Sequence, residues 1–399
     1  MKRDSIYTKN IVLVLLASFF YMISPMLTTP LIAGYAESLG AGAFLMGIIG
    51  GLMNLCSLFC RPFAGSLADR LSKYRVTAMG SFIMAVASAI YVLAPSSTWI
   101  IAGRLLHGVG YSFCSVCLST WMSNMLPKEK VGTGMGLYGT MNALGMAVSP
   151  SIGIFVYQHF GYRAAFFVSL VACAAILITI RFITDKGEPQ QPAVAGPANA
   201  EADNGSSAGD RKPKLSFIDV RILPLSAIIM LFTIPYYAAQ SFLVTYTEAR
   251  GLAVHVSLFF TLYAIALFLL RLSMKSLFDR VPFRYFLAGS ILSAGASIWL
   301  LGVMRNDWIM LLAAICMAGG YGLMCSVCQS TAILMAGVER RGVANSTYYI
   351  GLDLGMAIGP TIAGVLYGSV PLEYFFPCLL ITLPAIAAVY WLFLRKKGF

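Results

Sequence analysis

A shift of 210 residues lays one half of this chain on the other, and the charged residues coincide. Arg61, Asp69 and Arg70 fall on Arg271, Asp279 and Arg280 at that spacing. Gly145, Met146, Ala147 and Pro150 fall on Gly355, Met356, Ala357 and Pro360. At a shift of 211, Tyr35 and Glu37 meet Tyr246 and Glu248, and the run Ser115, Val116, Cys117, Ser119, Thr120 meets Ser326, Val327, Cys328, Ser330, Thr331. A duplication this long restricts the fold to two halves of like topology. Both halves are intensely apolar: 59% of residues are hydrophobic, only 11% are charged, and the mean hydropathy is +0.79. Lipid can solvate that much apolar surface; a soluble domain cannot bury it.

A hydrocarbon core of roughly 30 Å needs about 20 apolar residues per helix. Stretches of that kind run over 11–33, 44–67, 75–95, 97–122, 131–157, 164–182, 219–246, 255–278, 284–303, 307–336, 342–367 and 371–394. The expected fold is an all-α integral membrane protein, with twelve transmembrane helices in two pseudo-symmetric six-helix bundles over residues 1–183 and 217–399. Between them, residues 184–216 are rich in Pro, Gly, Ala and Ser, the composition of a disordered cytoplasmic linker. With the N-terminus inside, the inner ends and loops carry 22 of the 28 Lys and Arg, and the outer loops carry only Arg163, Arg250 and Arg305. That asymmetry predicts a multi-pass cell-membrane protein with both termini cytoplasmic. The net charge of +12 is then a topology signal, and no nucleic-acid partner is expected. Arg395, Lys396 and Lys397 are suited to anionic lipid headgroups. The first helix is too long for a signal-peptide core and lacks a small-residue cleavage site, so it is expected to remain. All nine Cys fall inside predicted spans, which predicts packing thiols and no disulfide framework.

Two like membrane halves around a midplane site form a transporter architecture. An enzyme would need convergent ligands or nucleophiles, whereas the three His are scattered and no Gly-Lys-Ser/Thr phosphate loop exists. No cofactor, metal site or ATP-driven pumping is therefore expected. The segment Gly65-Ser-Leu-Ala-Asp69-Arg70-Leu-Ser72-Lys73-Tyr-Arg75 places a small residue near a helix end, where it permits close helix packing. It also places an acid among bases that can donate charge-assisted hydrogen bonds. Its recurrence as Asp279-Arg280 reads as a paired cytoplasmic gate. Arg61 and Arg271 lie about 12 Å deeper; they either snorkel or brace the loop acids of their own half.

These residues resemble the major facilitator superfamily, in its twelve-helix drug:proton antiporter branch. The Gly65–Arg75 run is similar to the signature loop between helices 2 and 3, with Ser72 where the pattern has a second glycine. Arg104-Leu-Leu-His107-Gly108-Val-Gly110 resembles the branch's Arg-x-x-Gln-Gly-x-Gly element, with His107 in the Gln position. The run from Gly145 to Ile154 is close to the antiporter element, with Ser149 and Ile154 replacing two of its glycines. The resemblance implies the fold, export, and a proton-relay or conformational role for Arg104.

Asp353 alone among the sixteen acidic residues lies mid-span. Removal from water penalises a carboxylate's charged form, so its protonation can switch with conformation. The alternatives are a permanently protonated or Arg-paired structural acid. Arg104 and His107, one helical turn apart, are the other candidates for proton coupling, and a buried neutral histidine is the alternative for His107. In this fold helices 1, 4, 7 and 10 line the central cavity, which assigns Tyr21, Tyr111, Tyr236, Tyr237, Gln240, Tyr321 and Gln329 as candidate substrate contacts. An aromatic, Met-containing cavity with little fixed charge suits neutral or weakly cationic organic molecules. The expected function is a monomeric, proton-coupled secondary transporter exporting small organic compounds by alternating access. A proton-coupled uptake symporter and a non-transporting membrane sensor remain alternatives.

Overall fold

The computed structural model describes residues 8–127, 130–188, 218–273, 281–336 and 341–395. Asp279, Arg280 and residues 189–217 lie outside them, as does the side chain of Asp69. Thr8 starts α1 (Lys9–Ser38) by accepting from the Ile11 amide at 3.4 Å, a side-chain N-cap. After α2 (Ala43–Arg70), Ser72 caps α3 (Lys73–Leu93) by accepting from the Arg75 amide at 3.3 Å. A hydroxyl is therefore useful where the family pattern has glycine. Next come α4 (Ser97–Met125) and the 51-residue α5 (Val131–Arg181). Straight, α5 would run about 77 Å, more than twice a bilayer core. Gly161 breaks it at φ +81°, in the left-handed region open to glycine, into arms over 131–160 and 162–181.

The second half repeats the plan with α6 (Leu223–Ala249), α7 (Val256–Ser273) and α8 (Phe283–Val303). Then α9 (Asp307–Met317) passes through a π-helical turn, Ala318–Gly322, into α10 (Leu323–Ala336), followed by α11 (Arg341–Ser369). The last crossing is a series of short helical pieces that includes α12 (Phe375–Cys378) and α13 (Thr382–Val389). Pro377 and Pro384 each remove an amide donor from it. Among the described residues no strand occurs. Among those residues ten helices are long and apolar enough to cross a membrane, and Val256–Arg271 is a shorter apolar one. One of the ten is α5, which Gly161 divides into two arms. The outer surface is apolar, with Phe63 71% and Leu292 75% exposed, as a lipid-facing surface requires.

Repeat-related glycines make the same joints in each half. A Cβ on Gly145 would stand 2.7 Å from Met22 of α1, and one on Gly355 would stand 2.6 Å from Thr233 of α6, so these helices approach at backbone distance. Gly65 does not act this way. Among the described residues nothing lies within 4 Å of its would-be Cβ, so the close helix packing expected of it is not made by them. The linker boundary also shifts. The Lys73 and Tyr74 amides donate to the Gly187 and Lys186 carbonyls, Trp121 Nε1 donates to the Asp185 carbonyl, and Thr184 bonds Asn10. Residues 184–187 are thus packed on α1, α3 and α4.

The halves meet along three seams. On α2/α11, Cβ atoms on Gly47 and Gly51 would collide with Pro360 and Ala357 carbonyl oxygens. Its repeat counterpart, α5/α7, uses hydroxyls instead: Ser151 Oγ lies 2.7 Å from Thr261 Oγ1 and 3.0 Å from the Ser257 carbonyl. On α1/α6, Gly34 lies against Thr245, and the Gln240 amide nitrogen is 3.8 Å from Met26 Sδ.

Candidate functional site

The one mid-span carboxylate is not isolated. Arg61 of α2 donates from Nη2 to Asp353 Oδ1 of α11 at 3.1 Å, and its Nε lies 2.9 Å from Oδ2. The second contact is close but poorly aimed, so Nε and Oδ2 both lack a directed hydrogen bond. Arg61 was expected to snorkel or to brace its own loop; instead it crosses to the other half. The physical reason is the desolvated acid opposite, whose charge needs a partner. The pair has no twin. Arg271, the repeat mate of Arg61, belongs to no ion pair among the described residues, and its Nε is without a partner. The position 210 before Asp353 is Ala143.

Aromatic groups surround the pair. Tyr21 and Tyr111 stack with centroids 5.2 Å apart, and the Tyr349 ring lies 5.9 Å from Arg61 Cζ. Tyr349 receives a hydrogen bond from Gln329 at 3.3 Å rather than bonding Asp353. On the other side of the same region, Tyr236 stacks on Tyr321 at 4.2 Å and contacts Tyr237 and Tyr263 at 5.3 and 5.1 Å. The π-helical turn carries Tyr321, and such turns often sit at functional positions. All seven expected contact residues lie buried or half-buried, divided between these two aromatic groups and the α1/α6 seam. Tyr263 and Tyr349 join them. Sequence reading passed over Tyr263 because α7 is the eighth predicted span, 255–278, which was not assigned to the lining.

Arg104 and His107 lie elsewhere. Arg104 is fully buried and donates to the Ile49 and Gly50 carbonyls at 2.9 and 2.6 Å. It thereby braces the α2 segment that meets α11. His107 is held between Tyr91 at Nδ1 (3.3 Å) and Ser24 at Nε2 (3.1 Å), and Ser24 continues to Ser169 at 2.8 Å. Both ring nitrogens have neutral partners inside the N-terminal bundle, so the ring is satisfied without a carboxylate.

One end of the molecule, where α1 and α6 finish, is closed by two reciprocal clasps. Tyr157 of the first half donates to Glu248 Oε1 at 2.9 Å, and Tyr367 of the second donates to Glu37 Oε1 at 3.3 Å. The tyrosines are 210 apart and the glutamates 211, so one clasp is the repeat image of the other.

Comparison with known proteins follows the same lines. The Major Facilitator Superfamily profile matches residues 14–282 and 253–398. Over 169 residues the chain is 30% identical to the multi-drug resistance efflux pump PmrA of Streptococcus pneumoniae, covering 41% of this chain and 42% of that protein. It is 26% identical over 157 residues to the niacin transporter NiaP of Acinetobacter baylyi, covering 39% and 33%. Each of these matches spans less than half of the relative's length. A bacterial homolog of the human lysosomal transporter Spinster, inward-facing and unoccupied, superimposes with a TM-score of 0.74 at 15% identity over 98% of both chains. The nucleoside transporter NupG gives 0.79 at 12% identity, over 97% of this chain and 100% of its own. At such identities the likeness is one of fold. The duplication, the membrane-spanning helices and the family match across nearly the whole chain make this protein a multi-pass membrane member of the Major Facilitator Superfamily.

Proposed function

We propose that the protein is a proton-coupled secondary transporter that exports small organic compounds by alternating access. The observation that carries this reading is the Arg61–Asp353 pair, a carboxylate and a guanidinium contributed by opposite halves beside a double aromatic lining. A pair divided between moving bodies changes its partners whenever they rock, and protonation of Asp353 is the event that can neutralise the site. Under the positive-inside orientation the clasped end faces outward, so in this scheme loading occurs from the cytoplasmic side, as an exporter requires. The residues Asp69, Arg70, Asp279 and Arg280 serve as the inner gate in this scheme, with Arg104 bracing the α2 wall. The likeness to PmrA, a multi-drug efflux pump, favours export over uptake.

Buried polar groups on α6 support movement at the seams. Among the described residues, Tyr237 OH, Gln240 Oε1, Ser241 Oγ and Thr245 Oγ1 are buried without hydrogen-bond partners. Gln240 and Thr245 lie against Met26 and Gly34 of α1, and Ser241 lies toward Gly50 of α2. Each such group costs about 1–3 kcal/mol while closed, and water regains it when the seam opens. The clasps oppose that opening. The double change Tyr157→Phe with Tyr367→Phe should therefore raise alkylation of a cysteine placed at Thr245, in an otherwise cysteine-free protein, by about tenfold, the loss of roughly 1.4 kcal/mol of closure. Labelling no faster than with the tyrosines present would remove the clasps from the gate.

The function itself is tested in everted membrane vesicles with a panel of fluorescent and labelled compounds. Accumulation that depends on this protein and collapses when the proton gradient is dissipated supports the reading. Accumulation only in right-side-out vesicles would reassign it to uptake, and binding without any flux would make it a sensor.

A further inference from the structure

The geometry points to a zwitterion-binding site at Arg61 and Asp353, one that takes aromatic compounds bearing both an ammonium and a carboxylate group. The inference rests on the transporter reading and names the substrate class of that same site. Three observations converge. The two charges come from opposite halves, Arg61 on α2 and Asp353 on α11. The repeat-related α5/α7 seam closes through Ser151 and Thr261, with Ala143 where a second acid would stand. Closing a seam therefore does not require an ion pair, and this one is free to serve a ligand. Finally, the pairing is incomplete: Nε of Arg61 and Oδ2 of Asp353 have no directed hydrogen bond, and the Arg61 side chain keeps 28% of its surface exposed.

Charge accounting then selects the ligand. A simple cation that engages Asp353 leaves Arg61 unpaired, and a simple anion that engages Arg61 leaves Asp353 unpaired; an unpaired buried charge is the costly case. An uncharged compound gains nothing by separating the pair. A zwitterion replaces both partners at once, its carboxylate accepting from the guanidinium and its ammonium donating to Asp353, with no change in net charge. The stacked Tyr21 and Tyr111 and the nearby Tyr349 offer faces for an aromatic body and for its ammonium. This replaces the sequence-derived expectation of neutral or weakly cationic substrates, which did not include a paired charge at the lining.

The test uses phenylalanine, tryptophan and para-(aminomethyl)benzoate, each as the zwitterion, its methyl ester and its N-acetyl acid. Binding to the full-length protein in lipid nanodiscs is measured by calorimetry, and flux in proteoliposomes. The zwitterion should bind at least about tenfold more tightly than either singly charged form on one or more scaffolds, a modest share of the penalty for an unpaired ion. That preference should vanish in Arg61→Gln/Asp353→Asn and return in the exchanged pair Arg61→Asp/Asp353→Arg. If the neutral variant does not fold, the wild-type comparison and the exchanged pair decide. Esters or N-acetyl acids binding as well as the zwitterions, or no binding of any form, overturns the proposal. Gradient-driven flux of uncharged dyes without zwitterion preference sinks this inference alone, whereas absence of flux for every class sinks the transporter reading as well.

Discussion

Asp353→Asn is expected to abolish accumulation against a gradient while leaving the protein folded and able to exchange substrate downhill. The asparagine keeps the size of the side chain and its Oδ1, so the 3.1 Å acceptor for Arg61 survives in form. What it loses is the charge and the proton that can come and go. Breaking a fully buried ion pair costs about 3–5 kcal/mol; the cost here is smaller, because the Arg61 side chain is 28% exposed. Expression should therefore hold while coupling fails. Measured in everted vesicles, uphill transport should fall to background and its pH dependence should flatten, with equilibrium exchange retained at raised substrate concentration. Undiminished uphill transport with the wild-type pH profile would make the pair structural. The role would then pass to Glu37 and Glu248 at the clasps, since His107 and Arg104 are satisfied inside one bundle by neutral groups.

Much of this was legible in the chain because duplication writes symmetry into sequence. Gly145 and Gly355 coincide at the 210 shift and make equivalent joints, α5 on α1 and α11 on α6. Gly161 falls between two predicted helices, and the structure breaks α5 there. Half of the clasp signal was seen and half passed over: Glu37 and Glu248 coincide at the 211 shift, while Tyr157 and Tyr367, mates at 210, went unnoticed, and together the four form the clasps. The Arg61–Asp353 contact is of another kind. Its partners are 292 residues apart and belong to different repeats, and the pair has no counterpart: Arg271 matches Arg61, but Ala143 stands where the second acid would be. Repeat logic assigns Arg61 to its own half, whereas the electrostatics of a desolvated carboxylate draws it across. Gly65 shows the opposite limit: small size permits a close approach without requiring one, and no described residue comes close to it. His107 was legible as a buried residue but not as one bonded at both nitrogens, because Tyr91, Ser24 and Ser169 come from three other helical segments.

The sharpest contrast comes from two glycines given the same methyl group. A Cβ at Gly51 would collide with the Ala357 carbonyl oxygen across the α2/α11 seam, and one at Gly351 would collide with the Ser226 carbonyl oxygen within the C-terminal half. In an exposed helix, Gly→Ala is worth about 1 kcal/mol in its favour, so any loss belongs to the contact. Gly351→Ala has no conformation in which the clash is relieved, because α6 and α11 belong to one bundle. Overpacking of this kind costs about 1–3 kcal/mol, and the expected result is a lowered melting temperature and yield. Gly51→Ala can escape by leaving the seam open. It should be produced at close to wild-type yield and melt cooperatively, yet lose more than about nine-tenths of transport, since each roughly 1.4 kcal/mol of closing penalty lowers the closed-to-open ratio tenfold and this clash is against a backbone oxygen. Cysteine labelling at Thr245 should be fast in Gly51→Ala and unchanged in Gly351→Ala. If Gly51→Ala transports normally, α2 and α11 do not close against each other in the cycle. If both variants lose stability alike, the seam is a fixed core rather than a moving one, and the two halves do not rock about it.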